Sequence, residues 1–198
     1  VTQASPRIVL LAGPNGAGKS TAAAQLLQGP LEVSEFVNAD GIAHGISAFN
    51  TAEVAFEAGG VMLKRLRTLA EGHKNFAFET TLASRSFGPW ISELRRSGYT
   101  FLMVFLWLPN ADVAVARVAG RARMGGHDVP EDTVRRRYHR GLQNFFTIYR
   151  PLADQWWMYD SSRESGPDLI ANGRNLVSLH IEREPTWADL ERMHANAG

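Results

Sequence analysis

The chain predicts a three-layer α/β domain with a mainly parallel central sheet, and three observations carry that expectation. Short apolar runs alternate with segments of helical period along most of the 198 residues. Phe101 to Leu108 is an uncharged run, the pattern of a strand covered on both faces. The first apolar run, Ile8-Val9-Leu10-Leu11-Ala12, passes directly into a glycine-rich turn and then into a helix-forming segment. No internal repeat, low-complexity tract or linker divides the chain, so residues 1–198 are expected to form a single domain.

Taken in order, the strand at residues 8–12 leads to a helix opening near Lys19 and running through Thr21-Ala22-Ala23-Ala24-Gln25-Leu26-Leu27. Phe36-Val37-Asn38-Ala39-Asp40 reads as a short strand ending in a carboxylate, with Gly41 opening the next connection. Apolar positions at Val54, Ala58, Met62, Leu66 and Leu69 give residues 51–71 a helical period, with Thr51 as N-cap and Glu53 and Glu57 favouring the early turns. Asn75 to Glu79 is another brief strand closed by a carboxylate. Ser86 to Ser97 is a helix stopped by Gly98, and Pro109-Asn110 ends the strand 101–108. Helices follow at 111–124 and 130–149, separated by Gly125-Gly126, with Pro130 at a first helical position and Pro151 just beyond the end. Trp156 to Tyr159 and Asn175 to Ile181 are closing strands with a turn at Asn172-Gly173, and a last helix covers residues 187–194.

Composition narrows the function classes. Twenty-one Lys plus Arg against 20 Asp plus Glu leave a net charge of +1, so no global field recruits nucleic acid or an anionic membrane. The absence of cysteine removes thiol redox chemistry and suits a reducing compartment. The apolar run at 8–12 is too short to span a bilayer and Val1 to Arg7 lacks the features of a secretory signal, so a cytoplasmic protein is expected. Trp156 and Trp157 are expected in the core rather than against a nucleobase. His44, His73, His139, His180 and His194 show no metal-ligand spacing.

The chemistry is concentrated at residues 13–20. Gly13-Pro14-Asn15-Gly16-Ala17-Gly18-Lys19-Ser20 is a complete G-x-x-x-x-G-K-S signature between a strand and a helix, which is the context a nucleoside triphosphate cradle needs. The three glycines free the backbone so that successive N–H groups converge on phosphate oxygens. Lys19 supplies a mobile charge to the β and γ phosphates, Ser20 places a hydroxyl on Mg²⁺, and Thr21 continues the helix whose positive end faces the anion. ATP and Mg²⁺ are therefore the expected cofactors of a P-loop NTPase or kinase fold.

In a doubly wound sheet the phosphate loop, Asp40 and Glu79 emerge at one crevice, beyond the carboxyl ends of the strands. A carboxylate near the γ-phosphate can accept the proton of an attacking hydroxyl or hold Mg²⁺. Asp40 suits the first role and Glu79 either. Their alternative roles are helix capping for Asp40 and a surface hydrogen bond for Glu79. Arg117 and Arg121 share a helix face at i and i+4 and are followed by Gly125-Gly126-His127. Arginines over a transferred phosphoryl group with a glycine break beyond them describe a lid at about 117–130, against the alternative of a solvated basic face. In the second basic run, Arg135-Arg136-Arg137-Tyr138-His139-Arg140, most arginines are expected to face water, and the sequence does not pick one that reaches the site. His127 is a general base or a hydrogen-bonding partner of substrate.

The ordered set resembles the zeta toxin family of P-loop kinases, in particular its smaller stand-alone relatives. The matching pieces are residues 13–21, Val37-Asn38-Ala39-Asp40, Phe78-Glu79-Thr80-Thr81, Arg117-Val118-Ala119-Gly120-Arg121, Gly125-Gly126-His127-Asp128-Val129-Pro130 and Arg135-Arg136-Arg137-Tyr138. The resemblance implies transfer of the ATP γ-phosphate to a hydroxyl of UDP-N-acetylglucosamine. It also implies Asp40 as general base, Lys19 on the phosphates, Ser20 on Mg²⁺, and Arg117 and Arg121 near the transition state; Glu79, Thr80 and His127 are expected, with Asp40, to bind the substrate. In the toxins a second arginine stands before the proline opening the next helix, where this chain has Gly125-Gly126-His127-Asp128-Val129. Any inhibitor of such a toxin would be a separate protein, an antitoxin. The other readings are a nucleoside or coenzyme kinase of the same fold, and a nucleotide-dependent ATPase switch with a protein partner.

Overall fold

The computed structural model describes residues 5–28, 31, 33–48, 50–51, 53–126, 128–163 and 165–194. Its centre is strand β1 (Arg7–Ala12), whose residues Ile8 to Ala12 are all buried. A strand with no exposed alternate positions is covered on both faces, which is the parallel-sheet pattern read from the sequence. β1 pairs in parallel with β3 (Phe76–Thr80) on one side and β4 (Thr100–Trp107) on the other. The seven-stranded sheet has the order β2-β3-β1-β4-β5-β6-β7, where β2 is Phe36–Val37, β5 Gln155–Asp160, β6 Asp168–Arg174 and β7 Val177–Ile181. The first five strands are mutually parallel, while β6 and β7 add an antiparallel edge.

Helices α1 (Lys19–Gln28), α3 (Ala55–Glu71), α4 (Phe87–Arg96) and α5 (Ala111–Arg123) fall where the periodicity predicts them. One helix was not legible. α2 (Ala39–Ile46) contains Gly41 and Gly45, which lower helix propensity and make the segment read as a connection. It forms because the side chain of Asn38 accepts hydrogen bonds from the Asp40 and Gly41 N–H groups at its start. Thr51 is not an N-cap: it lies in a turn, and α3 begins at Ala55 after Val54. Pro130 sits one residue earlier than expected, at the N-cap of α6 (Glu131–Asn144). The expected helix 130–149 widens at Phe145–Tyr149 into a π turn, after which α7 (Arg150–Leu152) closes the segment.

The carboxyl end of the chain departs from the expected pattern. Asn172 and Gly173 are not a turn but lie inside β6, a strand absent from the sequence reading. Glycine is needed there for close approach: a Cβ at Gly173 would strike the Val177 carbonyl and the Trp156 ring. The turn falls at Asn175-Leu176, where Asn175 adopts a positive φ of 47°. Helix α8 (Glu184–His194) then packs Trp187 against the buried Trp156, with ring centroids 5.2 Å apart. No helix among the described residues is long and apolar enough to cross a membrane.

Candidate active site

Parallel pairing places the carboxyl ends of β1, β2 and β3 side by side, with Ala12 opposite Thr80 and Val37 opposite Phe78. The phosphate loop, Asn38 to Asp40, and Glu79 to Thr80 therefore emerge along one rim. They line a crevice of about 660 Å³ together with Arg117, Arg121 and Arg137. Asn15, Gly16, Gly18, Lys19, Ser20 and Thr21 face it. Gly13 and Ala17 support the loop from behind, Ala17 being fully buried with its carbonyl accepting from Ser161 Oγ at 2.7 Å. The Asn15 Oδ1 atom is buried without a partner in the chain. Gly13, Gly16 and Gly18 adopt φ values of 142°, 79° and 78°, backbone conformations that let loop amides turn to one side and fit a site built for phosphate oxygens.

Lys19 is buried and its ammonium donates to the Pro14 carbonyl at 3.0 Å, with Glu79 Oε1 3.9 Å away. Burial holds its pKa below the ordinary lysine value, while the Glu79 and Asp40 carboxylates pull in the opposite direction. The Ser20 hydroxyl donates to Glu79 Oε2 at 2.8 Å, and Asn38 Nδ2 donates to both, at 3.2 Å to Ser20 Oγ and 3.0 Å to Glu79. One asparagine thus caps α2 with its oxygen and orients a hydroxyl–carboxylate pair with its nitrogen. Sequence reasoning did not assign it. The available signal was an Asn two residues before an acidic first turn, a capping pattern. Capping at this helix falls to Asn38, and Asp40 sits in the first turn with its side chain at the crevice.

Arg117 and Arg121 both reach the crevice, but their surroundings differ. The Arg117 guanidinium donates to the carbonyls of Gly16 at 3.3 Å, Ser161 at 2.7 Å and Ser162 at 2.7 Å. It clamps the phosphate loop to the segment after β5. Gly16 is required by the same contact, since a Cβ there would lie 2.9 Å from Arg117 Cβ. The segment after β5 is itself pinned: Asp160 accepts from the Ser162 N–H at 2.9 Å and pairs with Arg183. Burial pushes its carboxyl up, yet these partners outweigh it and its pKa lies below the usual value.

Among the basic residues of α6, Arg135 pairs with Asp112 and Glu131, and Arg136 donates to Thr133 Oγ1. Arg137 lines the crevice and bears electrostatically on Lys19. It shares a helix face with the buried Val134 and with Gly141, which is packed against the Thr81 carbonyl. Gly125-Gly126 ends α5: Gly125 has φ 86°, its N–H bonds the Ala122 carbonyl, and the Gly126 N–H bonds the Arg121 carbonyl, a Schellman cap. Thr80 lines the crevice, its Oγ1 accepting from the Leu82 N–H. His127 lies outside the described residues.

The model of a family described as AAA domain matches residues 8–145. The chain belongs to that family. The matched span of this AAA-domain chain holds the loop, Asp40, Glu79 and the arginines of α5 and α6. A protein of uncharacterised function from Haemophilus influenzae is 25% identical over 132 residues, 67% of this chain and 92% of that one. In fold, the chain is similar to the AvrRxo1-ORF1:ORF2 structure with ATP, at a TM-score of 0.72 and 15% identity over 94% of its length. It spans 64% of the length of that larger chain. It is also similar to the PezAT chromosomal toxin–antitoxin system of Streptococcus pneumoniae (TM-score 0.64, 14% identity, 98% of this chain and 80% of that one). A third likeness is to shikimate kinase from Bacteroides thetaiotaomicron, with a TM-score of 0.50 and 18% identity over 95% of this chain and 96% of that one. The fold is that of P-loop kinases.

Proposed function

We propose that this chain is a Mg²⁺·ATP-dependent kinase that phosphorylates a hydroxyl of a small molecule. The observation that carries the reading is the Ser20–Asn38–Glu79 array set beside the buried Lys19 ammonium, with Asp40 on the same crevice. The Ser20 hydroxyl and Glu79 would hold Mg²⁺, whose chemistry there would be to offset the negative charge of the triphosphate. Lys19 binds the same phosphates as a point charge. Asp40 accepts the proton of the acceptor hydroxyl as its oxygen forms the new O–P bond. The bond from Pγ to the bridging oxygen breaks with its electron pair leaving on ADP. Arg121 and Arg137, which line the crevice, are assigned to the charge that develops on the transferred group, while Arg117 positions the loop.

The bonds of Arg117 fix the start of the lid expected at about 117–130, so in this reading the moving part begins beyond it, and residues 1–198 act as one catalytic unit. The zeta-like motifs raise UDP-N-acetylglucosamine as one candidate acceptor, to be compared with smaller polyols that carry no phosphate. Fold similarity to the PezAT toxin–antitoxin system supports a protein antitoxin as partner. The test is transfer of labelled γ-phosphate to a panel of sugars, sugar nucleotides and nucleosides. Asp40→Asn is expected to keep ATP affinity and to lose about 10²- to 10⁴-fold in transfer. Transfer at the wild-type rate by Asp40→Asn would remove the base assignment.

A further inference from the structure

The crevice does not end at Asp40. A second cavity of about 580 Å³ lies between α2, the start of α3 and the end of α5, and it shares Ala39, Asp40 and Arg121 with the first. Asp40, the residue placed to take a proton, therefore stands on the threshold between two chambers. Their charges differ. The first has Lys19, Arg117, Arg121 and Arg137 against Asp40 and Glu79, a cationic lining matched to a triphosphate. Of the described residues lining the second, Arg121 at the threshold is the one permanent cation, against Asp40 and Asp128. The remaining polar groups are the Asn50 amide, the Thr51 hydroxyl and the His44 ring.

We infer that the second cavity is the acceptor chamber, and that it takes a polyol bearing neutral or amino substituents rather than phosphate or carboxylate. This inference rests on the kinase reading and names the substrate class for it. A hydroxyl-rich ligand finds in Asp128, Asn50 and Thr51 both acceptors and donors, whereas an anionic substituent would meet two carboxylates. The volume holds a ligand of sugar size, and the shared wall lets one hydroxyl reach Asp40 while the rest stays outside the phosphate-binding chamber. A diphosphate-linked sugar entering through this chamber would carry its negative charge past Asp128.

The experiment uses the full chain saturated with Mg²⁺ and the non-hydrolysable analogue AMPPNP. Saturation-transfer NMR is recorded with glucosamine, glucitol and UDP-N-acetylglucosamine as probes. Glucosamine or glucitol is expected to receive saturation. Asp128→Ala and the obstructing Ala48→Trp, both at exposed positions, are expected to weaken that binding by about tenfold or more without altering AMPPNP affinity. Binding of UDP-N-acetylglucosamine alone, absence of binding by all three probes, or polyol binding indifferent to both variants overturns the acceptor assignment while the kinase reading stands. Failure of AMPPNP itself to bind the wild-type chain removes the kinase reading and the acceptor chamber with it.

Discussion

Lys19 shows how one residue is prepared for its ligand. Its ammonium is buried against the Pro14 carbonyl with Glu79 near enough to attract it but not to neutralise the cost of burial, so its pKa falls below the ordinary lysine value. In the proposed mode the charged form binds phosphate, so affinity should be lost as pH rises through the depressed pKa, earlier than an ordinary lysine would lose it. Titrating Mg²⁺·ATP at a series of alkaline pH values checks this. The expected outcome is a decline for ATP that is absent for AMP, which lacks the phosphates assigned to Lys19. Asn38 marks the limit of reading at this scale. The glycine–lysine loop is legible because its backbone requirements are local, whereas the bonds of Asn38 to Ser20 and Glu79 exist only once β2 lies beside β3. Arg137 is likewise singled out among its neighbours by helical phase relative to Val134 and Gly141, which depends on where α6 packs.

Among the elements, α5 links sequence-distant parts of the site. Its Arg117 ties the phosphate loop to Ser161 and Ser162, and its last turn, capped by Gly125-Gly126, carries Arg121 to the wall between two cavities. Three carbonyl partners leave Arg117 committed to holding the loop. Arg117→Ala should therefore raise the Kd for ATP by about tenfold, the loss of about 1–2 kcal/mol of charge-assisted hydrogen bonding, while changing the rate at saturating ATP much less. Steady-state kinetics separate the two. A reduced saturated rate with unchanged ATP affinity would instead mark Arg117 as a transition-state group. The elements themselves were legible where one period dominated, as in α3 and β4. They were missed where glycine obscured it: α2 is set by a cap rather than by propensity, and β6 carries Gly173 for packing against Trp156.

Across the whole molecule, the antiparallel edge and α8 are held to the parallel sheet by Arg150. This buried guanidinium stacks over Trp156 and Trp187, pairs with Glu191 on α8 at 2.9 Å and donates to the Leu176 carbonyl in the β6–β7 turn. Nothing in the sequence pointed to it, because its partners lie 26 and 41 residues away. Arg150→Ala should destabilise the fold by about 3 kcal/mol, read as a lower urea midpoint at unchanged slope. A loss below about 1 kcal/mol would show that aromatic packing alone secures α8. The proposed function rests on one arrangement, in which the loop after β1 would grip a polyphosphate and present it to Asp40. Calorimetric titration of the full chain with Mg²⁺·AMPPNP tests it most directly. The expected result is saturable binding at one site per chain, abolished in a folded Lys19→Ala variant. Absence of heat from the wild-type chain, or equal binding by Lys19→Ala, would contradict it.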